Sequence, residues 1–325
     1  MSTDLDRIYA PIAEDLRALG ELLRRELATD DPFIGELIGH VLGSRGKLVR
    51  PALALLSAAA AGGADEQRLH LAGTVELIHI ASLIHDDIID AADLRRGMST
   101  VNMLWGNQVA VLLGDYLFAT AFDLVSRIRH PDVAPAIATA AVAMSQAEIQ
   151  AVRIGGEPYE DEATYYSIIE GKTARLFAAA CRAGALIAGA PPAIADALEA
   201  FGLQWGMSFQ ITDDALDLTG NRQELGKPIG SDIDTGRVTL PVIVALRQAS
   251  EADRQRLSAL VRHPSGDGAQ DELRALVDRY GGLRAALESA RRFADQARVA
   301  LTDLPPSRAK DSLQDLADFV LVRAR

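Results

Sequence analysis

The chain has 325 residues, 49% of them hydrophobic, enough to bury a substantial core in one large domain or two ordinary ones. A formal net charge of -12 and a pI near 5.0 exclude a general nucleic-acid partner, because neutralising phosphates takes a basic surface. Cys181 is the only cysteine, which excludes an intramolecular disulfide.

The start, Met1 to Asp6, lacks the basic residues and apolar stretch of a secretory signal, so a cytoplasmic protein is expected. Leu16, Leu19, Leu22, Leu23 and Leu27 recur at helical spacing and predict an early helix. A connection follows at Gly43 to Pro51, where Arg45, Lys47 and Arg50 stand in a glycine-containing segment ahead of a helix predicted to open at Pro51. Fixed cations and backbone N–H groups there suit a diphosphate, although surface loops are also often basic. Ala61 to Asp65 marks the next break. The apolar stretch Ile78 to Ile89 then carries His79, His85 and the cluster Asp86-Asp87-Ile88-Ile89-Asp90, followed by Arg95-Arg96-Gly97.

Farther along, Lys172 precedes the apolar run Leu176 to Ala190, which holds Cys181 as a small buried thiol. Arg182 and Pro191-Pro192 interrupt that run, leaving it short of the about 18 residues a membrane helix needs, so no integral membrane segment is expected. The aspartate pattern returns in Phe209-Gln210-Ile211-Thr212-Asp213-Asp214-Ala215-Leu216-Asp217. Connections at Gly220 to Gly236 (with Lys227) and at His263 to Gly268 follow, then a break at Gly281-Gly282 and a last helix after Pro305-Pro306. Strand signals are nearly absent, which predicts an all-α helical bundle with its functional residues projecting inward.

On a helix, Asp86 and Asp90 share a face, with Asp87 beside them. Like charges so close on a half-buried helix need a counter-charge. A hard divalent cation such as magnesium supplies one and keeps positions open for phosphate. The competing reading is a solvated acidic face; two triplets of the same spacing, both flanked by Leu, Ile and Phe, weigh against it. Arg95, Arg96, Lys172 and Lys227 add cations suited to a phosphate-bearing substrate. His79 and His85 are off one face, which argues against shared zinc. His79 reads as a phosphate donor or a satisfied core histidine, and His85 as a structural hydrogen-bonding residue. No serine or cysteine triad is visible, so the expected chemistry is electrostatic.

From about Tyr9 to the C-terminus the chain resembles the trans-polyprenyl diphosphate synthases, long-chain type. The resemblance rests on Gly46-Lys47, Arg50-Pro51, Glu76-Leu77-Ile78-His79, the first aspartate motif with Arg95-Arg96-Gly97, Gly114-Asp115, Lys172-Thr173, the second aspartate motif with Phe209-Gln210, and Gly226-Lys227. It implies the isoprenoid synthase fold: one polyprenyl synthetase domain over residues 1–325, all helical, around a central cavity, and a homodimer. It further implies condensation of isopentenyl diphosphate with an allylic prenyl diphosphate, and three magnesium ions held through Asp86, Asp87, Asp90, Asp213, Asp214 and Asp217. Lys47, Arg50, His79 and Arg96 match the isopentenyl diphosphate site. Arg95, Lys172 and Lys227 match contacts to the allylic diphosphate, and Thr173 and Gln210 border the reacting region. The sequence departs from the family where Leu48 follows Lys47 in place of arginine, where Arg45 replaces a glycine and offers compensation, and where Arg237 replaces a common lysine.

The resemblance also assigns product length to residues just before the first aspartate motif. Ala81 and Ser82 are small there, which predicts products of geranylgeranyl length or longer; Tyr116, Phe118 and Phe122 are candidates for the tunnel floor or for ordinary core. A terpene cyclase would share the fold but needs neither Lys47 and Arg50 nor the second triplet. A noncatalytic subunit of a heterodimeric synthase would be expected to lack aspartates that this chain keeps.

Overall fold

The computed structural model describes residues 2–43, 46–63, 66–155, 157–219, 237–262 and 268–322. Its contacts gather into two units. The first comprises Met1–Ala141, Leu176–Gly202 and Arg298–Leu316; the second comprises Val142–Arg175, Leu203–Ala297 and Ala317–Arg325.

In the first unit the leucine spacing near the N-terminus forms α2 (Ala13–Glu26), after α1 (Ser2–Ile8) and a 3₁₀ turn. The Asp31 carboxylate accepts from the N–H groups of Phe33 and Ile34 at 2.9 and 3.1 Å and so caps α3 (Pro32–Gly43). Next come α4 (Val49–Ala60) and α5 (Gln67–Ile89). Leu53, Leu55 and Leu56 of α4 and Leu71, Val75, Leu77 and Ile78 of α5 are fully enclosed, as expected of helices apolar on every side. Against α5 lie α2, α4, α6 (Val101–Trp105) and α7 (Asn107–Ser126). The α5–α7 packing is close: a Cβ on Gly114 would come within 2.2 Å of the His85 ring. His85 Nε2 lies 3.2 Å from the Val111 carbonyl, which fits the structural role read for it.

The second unit takes in the later part of α8 (Val133–Ile154) and α9 (Glu162–Ile169), whose N-terminus is capped by the Asp161 side chain. Residues Glu170–Ala174 form a π-helical turn that runs into α10 (Arg175–Ile187). Most of α10, the first part of α11 (Pro192–Thr219), the end of α15 (Gly282–Ala300) and most of α16 (Arg308–Val322) belong to the first unit; α12 (Leu240–Gln248), α13 (Glu251–Arg262), α14 (Ala269–Arg279) and the rest of α11 and α15 belong to the second. Ile211, Leu218, Ile243, Leu246, Leu257, Leu273 and Ala290 build this unit's core.

Three expectations need correction. The helix expected at Pro51 opens at Val49, with Leu48 as its cap in the left-handed region, φ 50°. A small hairpin, β1 (Leu94–Arg95) and β2 (Met98–Ser99), stands where no strand was expected. Finally, α7 is long and apolar enough to cross a membrane by length and composition, although no segment was expected to qualify. It carries Asp115 and Asp123; Leu113, Leu117, Ala121 and Leu124 are buried, while Val111, Leu112, Tyr116 and Phe122 are exposed.

Candidate active site

Asp86, Asp87 and Asp90 lie at the end of α5 in unlike surroundings. Asp87 is 5% exposed and its Oδ1 receives two guanidinium nitrogens of Arg95, each at 2.6 Å. Asp86 and Asp90 are half-buried one turn apart, the Asp90 N–H donating to the Asp86 carbonyl at 2.8 Å. The face they share is the one their spacing predicted, while Asp87 turns toward Arg95.

The hairpin explains how Arg95 gets there. Leu94 pairs with Ser99 and Arg95 with Met98, leaving Arg96-Gly97 as a two-residue turn. Both have positive φ, 53° and 77°, the mirror-image turn that matches strand twist. The Thr100 N–H donates to the Asp93 carbonyl at 3.0 Å and the Thr100 hydroxyl to the Ala92 carbonyl at 2.7 Å, tying the hairpin to the end of α5.

Beside this motif the first unit gathers cations. An Arg50 N–H donates to His79 Nε2 at 3.0 Å, and its guanidinium lies 4.5 Å from the centre of the Phe177 ring. Burial, then the charges of Arg50, Arg96 and Arg95, push the His79 imidazole well below its ordinary value, so it is neutral. Arginine only donates; Nε2 therefore accepts, and the proton sits on Nδ1, ready for an oxygen acceptor. Arg96 packs so close to Gly46 that a Cβ there would meet its guanidinium at 2.6 Å. Lys47 is exposed, and its carbonyl accepts from the Tyr9 hydroxyl at 3.1 Å. Next to them is a cavity lined by Leu16, Leu19, Leu23, Leu48 and Leu83, with Glu76, His79 and Arg96 contributing its polar part. Leu48 thus adds hydrocarbon to the wall of this cavity.

In the second unit Asp214 is 4% exposed and Asp217 is also buried, while Asp213 is half-buried. The Tyr165 hydroxyl donates to Asp214 Oδ2 and the Gln210 amide to Oδ1 at 2.8 Å. The Thr173 hydroxyl in turn donates to Gln210 Oε1 at 2.8 Å, which fixes which way the amide points. Burial and the Asp214 charge push the Tyr165 phenol well above its ordinary value, so it remains a donor. Lys172 donates to Glu148, whose other oxygen lies 4.0 Å from Arg237.

Among the described residues no three carboxylate, imidazole or thiol groups converge to hold an ion by themselves. The donor set still fits a hard divalent cation: each motif offers carboxylate oxygens, and magnesium takes one or two of these and completes its shell with water and phosphate. Ala81 is fully buried, and Ser82 is half-buried with its hydroxyl donating to the His79 carbonyl at 2.8 Å. Phe118 stacks between His85 and Phe122. Arg45 and Lys227 lie outside the described residues. Sequence reading gave no role to Glu76, Glu148 or Tyr165. An acid in an otherwise apolar stretch flags the first two, because buried charge is paired; nothing in the sequence marks Tyr165.

Residues 31–279 match the family model described as Polyprenyl synthetase. Heptaprenyl diphosphate synthase component 2 of Geobacillus stearothermophilus is 39% identical, over 97% of this chain and 98% of its own. A short chain isoprenyl diphosphate synthase of Methanothermobacter thermautotrophicus is 41% identical, over 87% of this chain and 88% of its own. The crystal structure of polyprenyl synthase from Caulobacter crescentus CB15 complexed with calcium and isoprenyl diphosphate has a TM-score of 0.94 at 33% identity, covering 99% of this chain and 98% of that one. With its helical fold, its two aspartate motifs and a family match across most of its length, the chain belongs to the trans-polyprenyl diphosphate synthases of the polyprenyl synthetase family.

Proposed function

We propose that this chain acts as a single polyprenyl synthetase domain that condenses isopentenyl diphosphate head-to-tail with an allylic diphosphate. The product is an all-trans polyprenyl diphosphate of geranylgeranyl length or longer. The observation that carries this reading is repeated in each unit: buried or half-buried aspartates at motif spacing occur with cations nearby, Arg50, Arg95 and Arg96 in one unit and Lys172 in the other.

Lys47, Arg50, His79 and Arg96 bind the diphosphate of isopentenyl diphosphate, with neutral His79 donating through Nδ1. Arg95, Lys172 and Lys227 bind the allylic diphosphate. Asp86, Asp87, Asp90, Asp213, Asp214 and Asp217 hold the divalent ions, three magnesium ions by the family pattern. Such ions, when bound, neutralise charge on a departing diphosphate. Thr173 and Gln210 border the reacting carbons and orient Asp214. The double bond of isopentenyl diphosphate attacks the allylic carbon, and the released diphosphate takes the proton, so no side chain is needed as base. Apolar surroundings protect the cationic carbon from water.

The test is purified protein with labelled isopentenyl diphosphate and dimethylallyl, geranyl or farnesyl diphosphate, in magnesium and then in excess chelator. Long-chain product that vanishes with the chelator is expected. A product that stops at farnesyl length refutes the length, and Ala81→Phe should shorten the chain. Hydrocarbon formed without isopentenyl diphosphate would instead indicate a cyclase.

The relative named component 2 favours a second reading, a catalytic chain that needs a partner subunit. Full activity of the pure chain excludes it. The homodimer is supported by exposed apolar residues Met103, Leu104, Val111 and Leu112 on α6 and α7, and sedimentation measures it directly. A cytoplasmic location goes with this reading.

A further inference from the structure

We propose that Glu76 is a positioning residue for isopentenyl diphosphate: an internal anion that holds the guanidinium groups of Arg50 and Arg96 in the orientation the diphosphate requires. The inference rests on the proposed reaction and deepens it.

Glu76 lies on α5 one turn before His79 and is 6% exposed. With His79 and Arg96 it lines the cavity that Leu16, Leu19 and Leu83 also line. An ionised carboxylate there is deprived of water and must be offset by nearby positive charge. Arg50 and Arg96 supply that charge: burial raises the carboxyl's pKa, and these two arginines are what lower it. The relation is reciprocal, because two like-charged guanidiniums gathered at one cavity repel, and a nearby anion offsets that repulsion.

Each arginine has a second restraint. Arg50 is bonded to His79 and stacked on Phe177; Arg96 packs against Gly46. Arg96 needs the extra hold, since it sits at the tip of a two-residue turn with φ 53°. A guanidinium recognises phosphate through a planar fork, so a fork set before binding loses less entropy on binding. A carboxylate touching the diphosphate would repel it; Glu76 therefore acts through the arginines.

The experiment compares the parent with Glu76→Gln, Glu76→Asp, Arg96→Gln and the double variant E76Q/R96Q. Steady-state kinetics vary each substrate at saturation of the other, calorimetry measures the Kd of isopentenyl diphosphate without turnover, and thermal melts check folding. For Glu76→Gln, KM and Kd for isopentenyl diphosphate should rise about tenfold while KM for the allylic substrate stays within about twofold. Glu76→Asp, which keeps the charge but retracts it, should recover part of the loss. In the Arg96→Gln background, Glu76→Gln should add less than about twofold, because the group it acts through is gone.

Unchanged isopentenyl diphosphate binding in folded Glu76→Gln overturns the inference, as does a parallel rise in both KM values. Should Glu76→Gln not fold, Glu76→Asp decides by the same readouts, with unchanged Kd the overturning result. A parent that binds isopentenyl diphosphate without condensing it sinks the proposed reaction and leaves this inference standing. A parent that does not bind it sinks both.

Discussion

Asp87 of the first aspartate motif faces the guanidinium of Arg95, whereas Asp214 of the second faces the hydroxyl of Tyr165 and the amide of Gln210. The motifs have the same spacing, yet a guanidinium meets one buried carboxylate, and a hydroxyl and an amide meet the other. An ion pair cancels charge; a neutral hydrogen bond only makes the charge tolerable where it stands. The carboxylate of Asp214 is thus steadied by donors that carry no charge. That of Asp87 is partly balanced by the fold itself. Equal spacing in a sequence thus conceals unlike surroundings.

The largest effects should test whether both motifs serve one step. Asp86→Ala and Asp213→Ala are each expected to lower kcat about a thousandfold, the scale of losing electrostatic stabilisation of a leaving group. A loss below tenfold in either would break the symmetry. Stability should then separate them. Arg95→Gln takes the guanidinium from buried Asp87 and should cost on the order of 3 kcal/mol in urea unfolding. Tyr165→Phe removes a neutral donor and should cost about 2 kcal/mol at most. A larger cost for Tyr165→Phe reverses the comparison. Ion binding sharpens it further: the rise in Tm on adding magnesium with inorganic diphosphate should shrink in both Asp87→Asn and Asp214→Asn.

The smallest effect is a pH slope. Burial raises the Glu76 carboxyl above its usual 4.5. As pH climbs from there through the folded value, the unfolded chain releases this proton more readily, and the folded state loses stability. Glu76→Gln lacks that loss, so its Tm should gain on the parent's across this window and hold a constant offset above it. A difference that stays flat throughout would remove the electrostatic account of Glu76.

Helices and the two aspartate motifs were legible because they are local: leucine spacing predicts α2, and the i, i+4 relation puts Asp86 and Asp90 on one face. The hairpin was not, since two-residue strands have no period and Arg-Gly is not the usual signal for a turn with two positive φ values. Ala81 and Ser82 read alike as small residues, yet one is enclosed and the other half-exposed, a distinction set by what packs against α5. Partners such as Glu148 for Lys172 and Tyr165 for Asp214 come from distant parts of the chain, and single-segment patterns carry no information about them.

The π-helical turn at Glu170–Ala174 has a bearing on how this segment tolerates change. Each residue of an α-helix advances the side-chain direction by about 100°, and a π turn absorbs one extra residue without breaking the rod. Tyr165 and Ile169 before it and Leu176 and Phe177 after it are all buried, a phase relation that depends on the residue count between them. Deleting a single position here would leave a perfectly good helical sequence whose two ends could no longer both keep their inward faces.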